Sequence, residues 1–198
     1  MRNMNKFMKT AICLLLLLAF PMTAFADELP PMPVADTVPF ALSQNGSYYM
    51  AELHTDTLMY TKDEHKKMYP ASLTKIMTAI LTLEHCPDLS QTVTYTQEAY
   101  DWVEAQFEAA GGNVSSAGLH LGEEMTIKDL LYGCLISSGN DAAEILAFHV
   151  GGTNAAFYDM MNEKAKELGC TNTHFNNSNG LPDPDHWTSA HDMALIAA

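Results

Sequence analysis

Tyr69-Pro70-Ala71-Ser72-Leu73-Thr74-Lys75 carries the chain from a charged connection into a helix. Proline just ahead of a helix start suits its fixed φ and missing N–H. Leu73, Ile76, Met77, Ile80 and Leu83 follow at a spacing close to 3.6, which predicts a helix that buries this stripe. A lysine three residues after a serine on a helix lies one turn away on the same face. A hydroxyl is a poor nucleophile without a base in reach, so Ser72 and Lys75 are a candidate nucleophile and proton acceptor for acyl transfer.

Downstream, Ser138-Gly139-Asn140 falls in a tight turn between two predicted helices. Thr126 with Asp129 caps the first, whose apolar positions are Ile127, Leu130, Leu131, Cys134 and Leu135. Asn140 or Asp141 is the expected cap of the second, which runs through Ala142, Ile145, Leu146 and Phe148 to Gly151-Gly152. Another helix is expected from Asn154 to Leu168, with Gly169 as its stop, and a last one from Thr188 or Ser189 onward. Upstream, Ser47 to Leu53 and Leu58 to Tyr60 form a predicted β-hairpin across His54 to Thr57. Lys62 to Lys67 and Gly111 to Gly122 are expected as loops, Glu104, Glu108, Glu123 and Glu124 as solvated acids, and Met160 and Met161 as core packing.

The first 26 residues have the pattern of a cleaved secretory signal peptide. Arg2, Lys6 and Lys9 precede an apolar run with five consecutive leucines, and Ala24-Phe25-Ala26 supplies small residues for cleavage. Residues 27–40, with Pro30, Pro31 and Pro33, read as a flexible leader. These 26 residues hold three of the ten Lys and Arg and no acid, so the remainder has 7 basic against 24 acidic residues, a net charge of −17. That balance argues against nucleic acid as a partner and against attachment to an anionic membrane by charge. No membrane anchor is read in the mature segment. Cys86, Cys134 and Cys170 remain after cleavage, an odd number that allows at most one bridge, and Cys134 reads as a small core residue.

Three blocks, Tyr69 to Lys75, Leu130-Leu131-Tyr132-Gly133 leading into Ser137 to Ala143, and Asn179-Gly180-Leu181-Pro182-Asp183-Pro184, resemble the serine D-alanyl-D-alanine carboxypeptidases. These are low-molecular-weight penicillin-binding proteins. The resemblance implies an α+β, β-lactamase/transpeptidase-like fold over residues 41–198, here an N-terminal hairpin plus a helical subdomain without the C-terminal sheet strands. It also implies that Ser72 attacks the penultimate D-alanine of a peptidoglycan stem peptide, that Lys75 takes its proton, and that Ser138 lies on the proton path to the leaving amine. Asn140 and Gly139 would hold the substrate, the Ser72 N–H would form part of an oxyanion hole, and β-lactams would inhibit. No cofactor and no metal are implied. The family's third motif, Lys-Thr-Gly, receives the substrate carboxylate and occurs nowhere in these 198 residues, the last lysine being Lys166. An N-terminal fragment of feeble activity is the resulting expectation, exported from the cytoplasm.

Other readings of the same residues are a class A-like β-lactamase and a homologue that binds peptidoglycan peptides or penicillins without turnover. The first needs a Glu-x-x-Leu-Asn loop, which is not found, and an aspartate where Gly139 stands. His186, His191, Asp183, Asp185 and Asp192 crowd together as metal-ligand types, for a metal-dependent hydrolase, but loop polarity and helix capping account for them more simply.

Overall fold

A computed structural model describes residues 43–198 except Asp56 and Asn113. The expected signal peptide and leader lie outside the described residues. Strands β1 (Tyr48–Glu52) and β2 (Thr57–Lys62) pair antiparallel, Tyr48 opposite Lys62, with an irregularity between Met50 and Ala51. The Glu52 carboxylate closes their turn by accepting from the His54 and Thr55 N–H groups. Six helices follow: α1 (Thr74–His85), α2 (Gln97–Ala109), α3 (Ile127–Leu135), α4 (Asn140–Gly151), α5 (Asn154–Glu167) and α6 (Ala190–Ala197). Thr126, Thr153 and Ser189 cap α3, α5 and α6 with their hydroxyls, which is why those three starts are readable in the sequence.

The expectation of one hairpin alone is corrected by a second antiparallel ladder, β3 (Thr92–Thr94) against β4 (Glu124–Thr126). Each strand buries a single side chain, Val93 or Met125, so neither shows an alternation long enough to read. Helix α2 is also additional. It buries only Ala99 and Val103, too thin a stripe to stand out among its acids, and Glu104 and Glu108 are exposed as expected.

The buried face of α1 differs from the predicted one. Leu73 and Leu83 are 52% and 53% exposed, Ile76 and Ile80 are half-buried, and the helix buries Met77, Ala79 and Leu81 together with Thr74, Lys75, Thr78 and Thr82. Helices α3, α4, α5 and α6 all pack on α1, so its polar face is enclosed as well. Its hydroxyls are satisfied there: Thr74 by His186, Thr78 by the Ser178 carbonyl, and Thr82 by the Thr78 carbonyl.

Helix α4 is the hub. It packs on α1, α2, α3 and α5, and every residue from Asn140 to Ala147 is buried. A helix buried on all sides is expected to be apolar all round. Asn140, Asp141 and Glu144 break that rule, and each has a partner that explains it. Two apolar clusters flank α4, one around Val103, Ile127, Leu130 and Leu146, the other around Met77, Leu81, Phe157 and Met161. Met160 packs against the second.

Candidate active site

Ser72 lies in a 3-10 turn, Ala71–Leu73, that runs straight into α1. Lys75 follows three residues later in the first turn of α1, which puts its side chain on the same face as Ser72. Ser72 is exposed whereas Lys75 is 2% exposed, with its Nζ 3.4 Å from Ser72 Oγ. Nζ also donates to Asn140 Oδ1 at 2.7 Å and to the Asn179 carbonyl at 2.6 Å. Burial draws the Lys75 pKa below its ordinary 10.5, while Cys134, Glu144 and Asp141 nearby act the other way.

Ser138 comes from the turn between α3 and α4, with φ at +52° in the left-handed region. Its Oγ donates to Ser72 Oγ at 2.7 Å. Ser115 braces the turn by donating its hydroxyl to the Ser138 carbonyl and accepting the Asn140 N–H at its own carbonyl. Gly139 has no room for a Cβ, which would sit 2.8 Å from the Ala117 nitrogen. The sequence expectation that Asn140 or Asp141 caps α4 is corrected: Gly139 holds the cap position without a side-chain bond. Asn140 is turned to Lys75 instead. Asp141 collects the N–H groups of Ala117, Gly118 and Leu119 and the Ser116 hydroxyl, and thereby anchors the 115–119 loop beside the site.

The predicted four, Ser72, Lys75, Ser138 and Asn140, therefore converge. The site also contains a residue of the third sequence block to which the motifs assigned no role. Asn179 presents its backbone carbonyl to Lys75, and its side chain is fully engaged. Oδ1 accepts from the Leu181 N–H, while Nδ2 donates to Gln106 Oε1 of α2 and Glu144 Oε1 of α4. Gly180, at φ +88°, presses on the turn of Ser72 so closely that a Cβ would lie 1.8 Å from the Ala71 carbonyl oxygen. The signals for these residues were the Asn179-Gly180-Leu181 block and a glutamate one turn after Asn140 in an otherwise apolar run.

The residues of metal-ligand type are occupied otherwise. His186 is buried, its Nδ1 accepts the Asn176 N–H, and its Nε2 faces Thr74 Oγ1 at 2.8 Å, so the ring is neutral with its proton on Nε2. Burial pushes its pKa down to about 4. The Asp192 carboxylate accepts from the Asn172 N–H and the Thr173 hydroxyl, and Asp183 accepts the Asp185 N–H. Among the described residues, no three His, Cys, Asp or Glu side chains converge as a metal site. Cys86, Cys134 and Cys170 are free thiols, and Cys134 is fully buried.

A serine and a buried lysine at the start of α1, met by a second serine and an asparagine at the start of α4, form the arrangement of a serine acyl-transfer site. Residues 35–198 match the peptidase S11, D-alanyl-D-alanine carboxypeptidase, family, and the chain belongs to it. Over 194 residues it is 34% identical to the D-alanyl-D-alanine carboxypeptidase DacF of Bacillus subtilis (strain 168), covering 98% of this chain and 47% of that relative. It is 32% identical to the D-alanyl-D-alanine carboxypeptidase of Streptomyces sp. (strain K15), covering 87% of this chain and 60% of the relative. Among solved structures, penicillin binding protein 5 from Haemophilus influenzae superposes with a TM-score of 0.71 at 30% identity, over 81% of this chain and 45% of that one. The Streptomyces K15 DD-transpeptidase gives a TM-score of 0.71 at 32% identity, over 81% of this chain and 62% of that one. The α+β expectation and the transpeptidase likeness thus agree with these neighbours. The chain spans about half the length of the curated relatives it matches. Among the described residues, no helix is long and apolar enough to cross a membrane.

Proposed function

We propose that this chain carries the acylating half of a serine D-alanyl-D-alanine carboxypeptidase site. Ser72 Oγ attacks the carbonyl of the penultimate D-alanine of a peptidoglycan stem peptide, and the bond to the terminal D-alanine breaks. The Ser72 proton passes to Lys75 Nζ and reaches the leaving amine through Ser138. Water then hydrolyses the ester, with the alcohol returned to Ser72. Asn140 and Gly139 serve the substrate backbone, and the Ser72 N–H at its helix start stabilises the oxyanion. Residues 1–26 act as an export signal, residues 27–40 as a leader and residues 41–198 as the penicillin-binding portion, so the reaction takes place outside the cytoplasm.

The coordination of Lys75 is the observation that carries this reading. As an ammonium, Nζ has three protons for three oxygens: Asn140 Oδ1, Asn179 O and Ser72 Oγ. As an amine it keeps the two short bonds, and its lone pair is left for the Ser72 hydroxyl. Burial favours that neutral form. Ser138 donates to Ser72 Oγ from the other side, which leaves the Ser72 proton directed at the lysine.

Incubation of the 198-residue chain with a fluorescent penicillin, followed by peptide mass mapping, tests the reading. A slow adduct on Ser72, absent from Ser72→Ala, is expected, slow because no Lys-Thr-Gly is present to receive the β-lactam carboxylate. An adduct at another residue, or none at millimolar penicillin, overturns the assignment. Catalytic release of hydrolysed penicillin would favour the β-lactamase alternative instead.

A further inference from the structure

Glu144 is a carboxyl group with 1% exposure, enclosed between α2, α4 and α5, where a leucine or methionine would be the ordinary occupant. Burying such a group is costly unless donors surround it. Here Asn179 Nδ2 donates to Oε1 at 2.9 Å, Tyr158 OH donates to Oε2 at 3.1 Å, and Asn154 Nδ2 donates to Oε2. Asn154 and Tyr158 belong to α5, so the carboxyl is fixed from behind by one helix and reaches forward to the segment that faces Lys75. Asn140 and Glu144 stand one turn apart on α4. One helix therefore sets both of the close Lys75 acceptors: Asn140 Oδ1 directly, and the Asn179 carbonyl through the amide that Glu144 holds.

We propose that Glu144 is a positioning residue for Lys75, acting through Asn179. It rests on the reading of Lys75 as the proton acceptor of Ser72. With Nδ2 held by Glu144 and Gln106, and Oδ1 held by the Leu181 N–H, the Asn179 side chain cannot turn, and its backbone carbonyl stays on Nζ. Releasing the amide frees the carbonyl, so the lysine loses one of its two fixed acceptors and its lone pair is no longer held toward Ser72.

Two routes from Glu144 to Lys75 must be separated, namely this hydrogen-bonded one and the direct effect of a negative charge. Glu144→Gln removes the charge but keeps an amide oxygen for Asn179. Its new N–H groups meet Tyr158 OH and Asn154, whose Oδ1 has no partner at present and is free to turn inward. Asn179→Ala keeps the charge and removes the link. Glu144→Leu removes both. The titration of Lys75, followed by NMR in protein carrying labelled lysine and assigned with Lys75→Arg, is the primary readout, since a merely structural role for Glu144 would leave it in place. Asn179→Ala and Glu144→Leu are expected to lower the Lys75 titration by roughly one unit, because an acceptor of the ammonium is lost, with Glu144→Gln staying closer to wild type. A Glu144→Gln shift equal to that of Glu144→Leu, with Asn179→Ala unshifted, would mean a charge effect only and overturns the proposal, as would no shift in any variant. Should Glu144→Leu fail to fold, the Gln and Asn179→Ala pair still decides. Penicillin labelling of Ser72 in the same proteins reads the catalytic assignment separately, so an unlabelled wild type with an intact Lys75 response would sink the carboxypeptidase reading alone.

Discussion

At the scale of single residues, His186 shows how a polar side chain can be structural in a neighbourhood that looks like a ligand set. Its ring is enclosed, receives the Asn176 N–H and faces the Thr74 hydroxyl at the start of α1. Because its pKa falls from 6.5 in the unfolded chain to about 4 when folded, the unfolded chain binds the extra proton between those values. Stability is therefore intact above pH 6.5 and is lost as pH falls toward 4. Urea unfolding should show a loss of about 2 kcal/mol from pH 7 to pH 5 that the His186→Gln variant lacks. Equal acid sensitivity in both proteins would show that the ring is not held neutral.

At the scale of elements, the decisive contact is between the Asn177–Leu181 segment and the turn that carries Ser72. Asn177 accepts the Gly180 N–H and donates to the Leu181 carbonyl, while Thr78 of α1 donates to the Ser178 carbonyl. Gly180 is required twice over, by its positive φ and by its approach to Ala71. Gly180→Ala should destabilise the chain by about 2 kcal/mol or more and slow penicillin labelling by roughly tenfold or more, because the backbone beside the nucleophile must move. Thermal unfolding and labelling kinetics measured together check this. Unchanged labelling would show that the segment does not set the position of Ser72. Helix phasing made α3 legible in four of its five predicted apolar positions, since Ile127, Leu130, Leu131 and Cys134 are buried, while Leu135 at its last turn is 52% exposed. It misled for α1, where enclosure by four helices buried the threonine face and left Leu73 and Leu83 exposed.

Across the whole molecule, α4 joins two apolar clusters, contributing Ala142, Ala143, Ile145 and Leu146 to one and Ala147 to the other. A shared central helix predicts that they unfold as one cooperative unit. Leu146 is fully buried, and Leu146→Ala should lower stability by about 2 to 5 kcal/mol. Circular dichroism and the fluorescence of Trp102 and Trp187 should report one coincident transition, shifted together in the variant. Separate transitions would mean that the clusters unfold independently.

The pairing of Ser72 with Lys75, the hydroxyl caps of three helices and the turn at Ser138 were determined by the sequence itself, because each depends on side chains within a few residues of one another. Tertiary structure alone decided the rest of the site. Ser138 reaches Ser72 across 66 positions, Asn179 reaches Lys75 across 104, and Glu144 reaches Asn179 across 35. Local spacing dictates which groups share a helical turn. Which of those groups are buried, and which distant oxygens meet them there, depends on the elements that close around the helix.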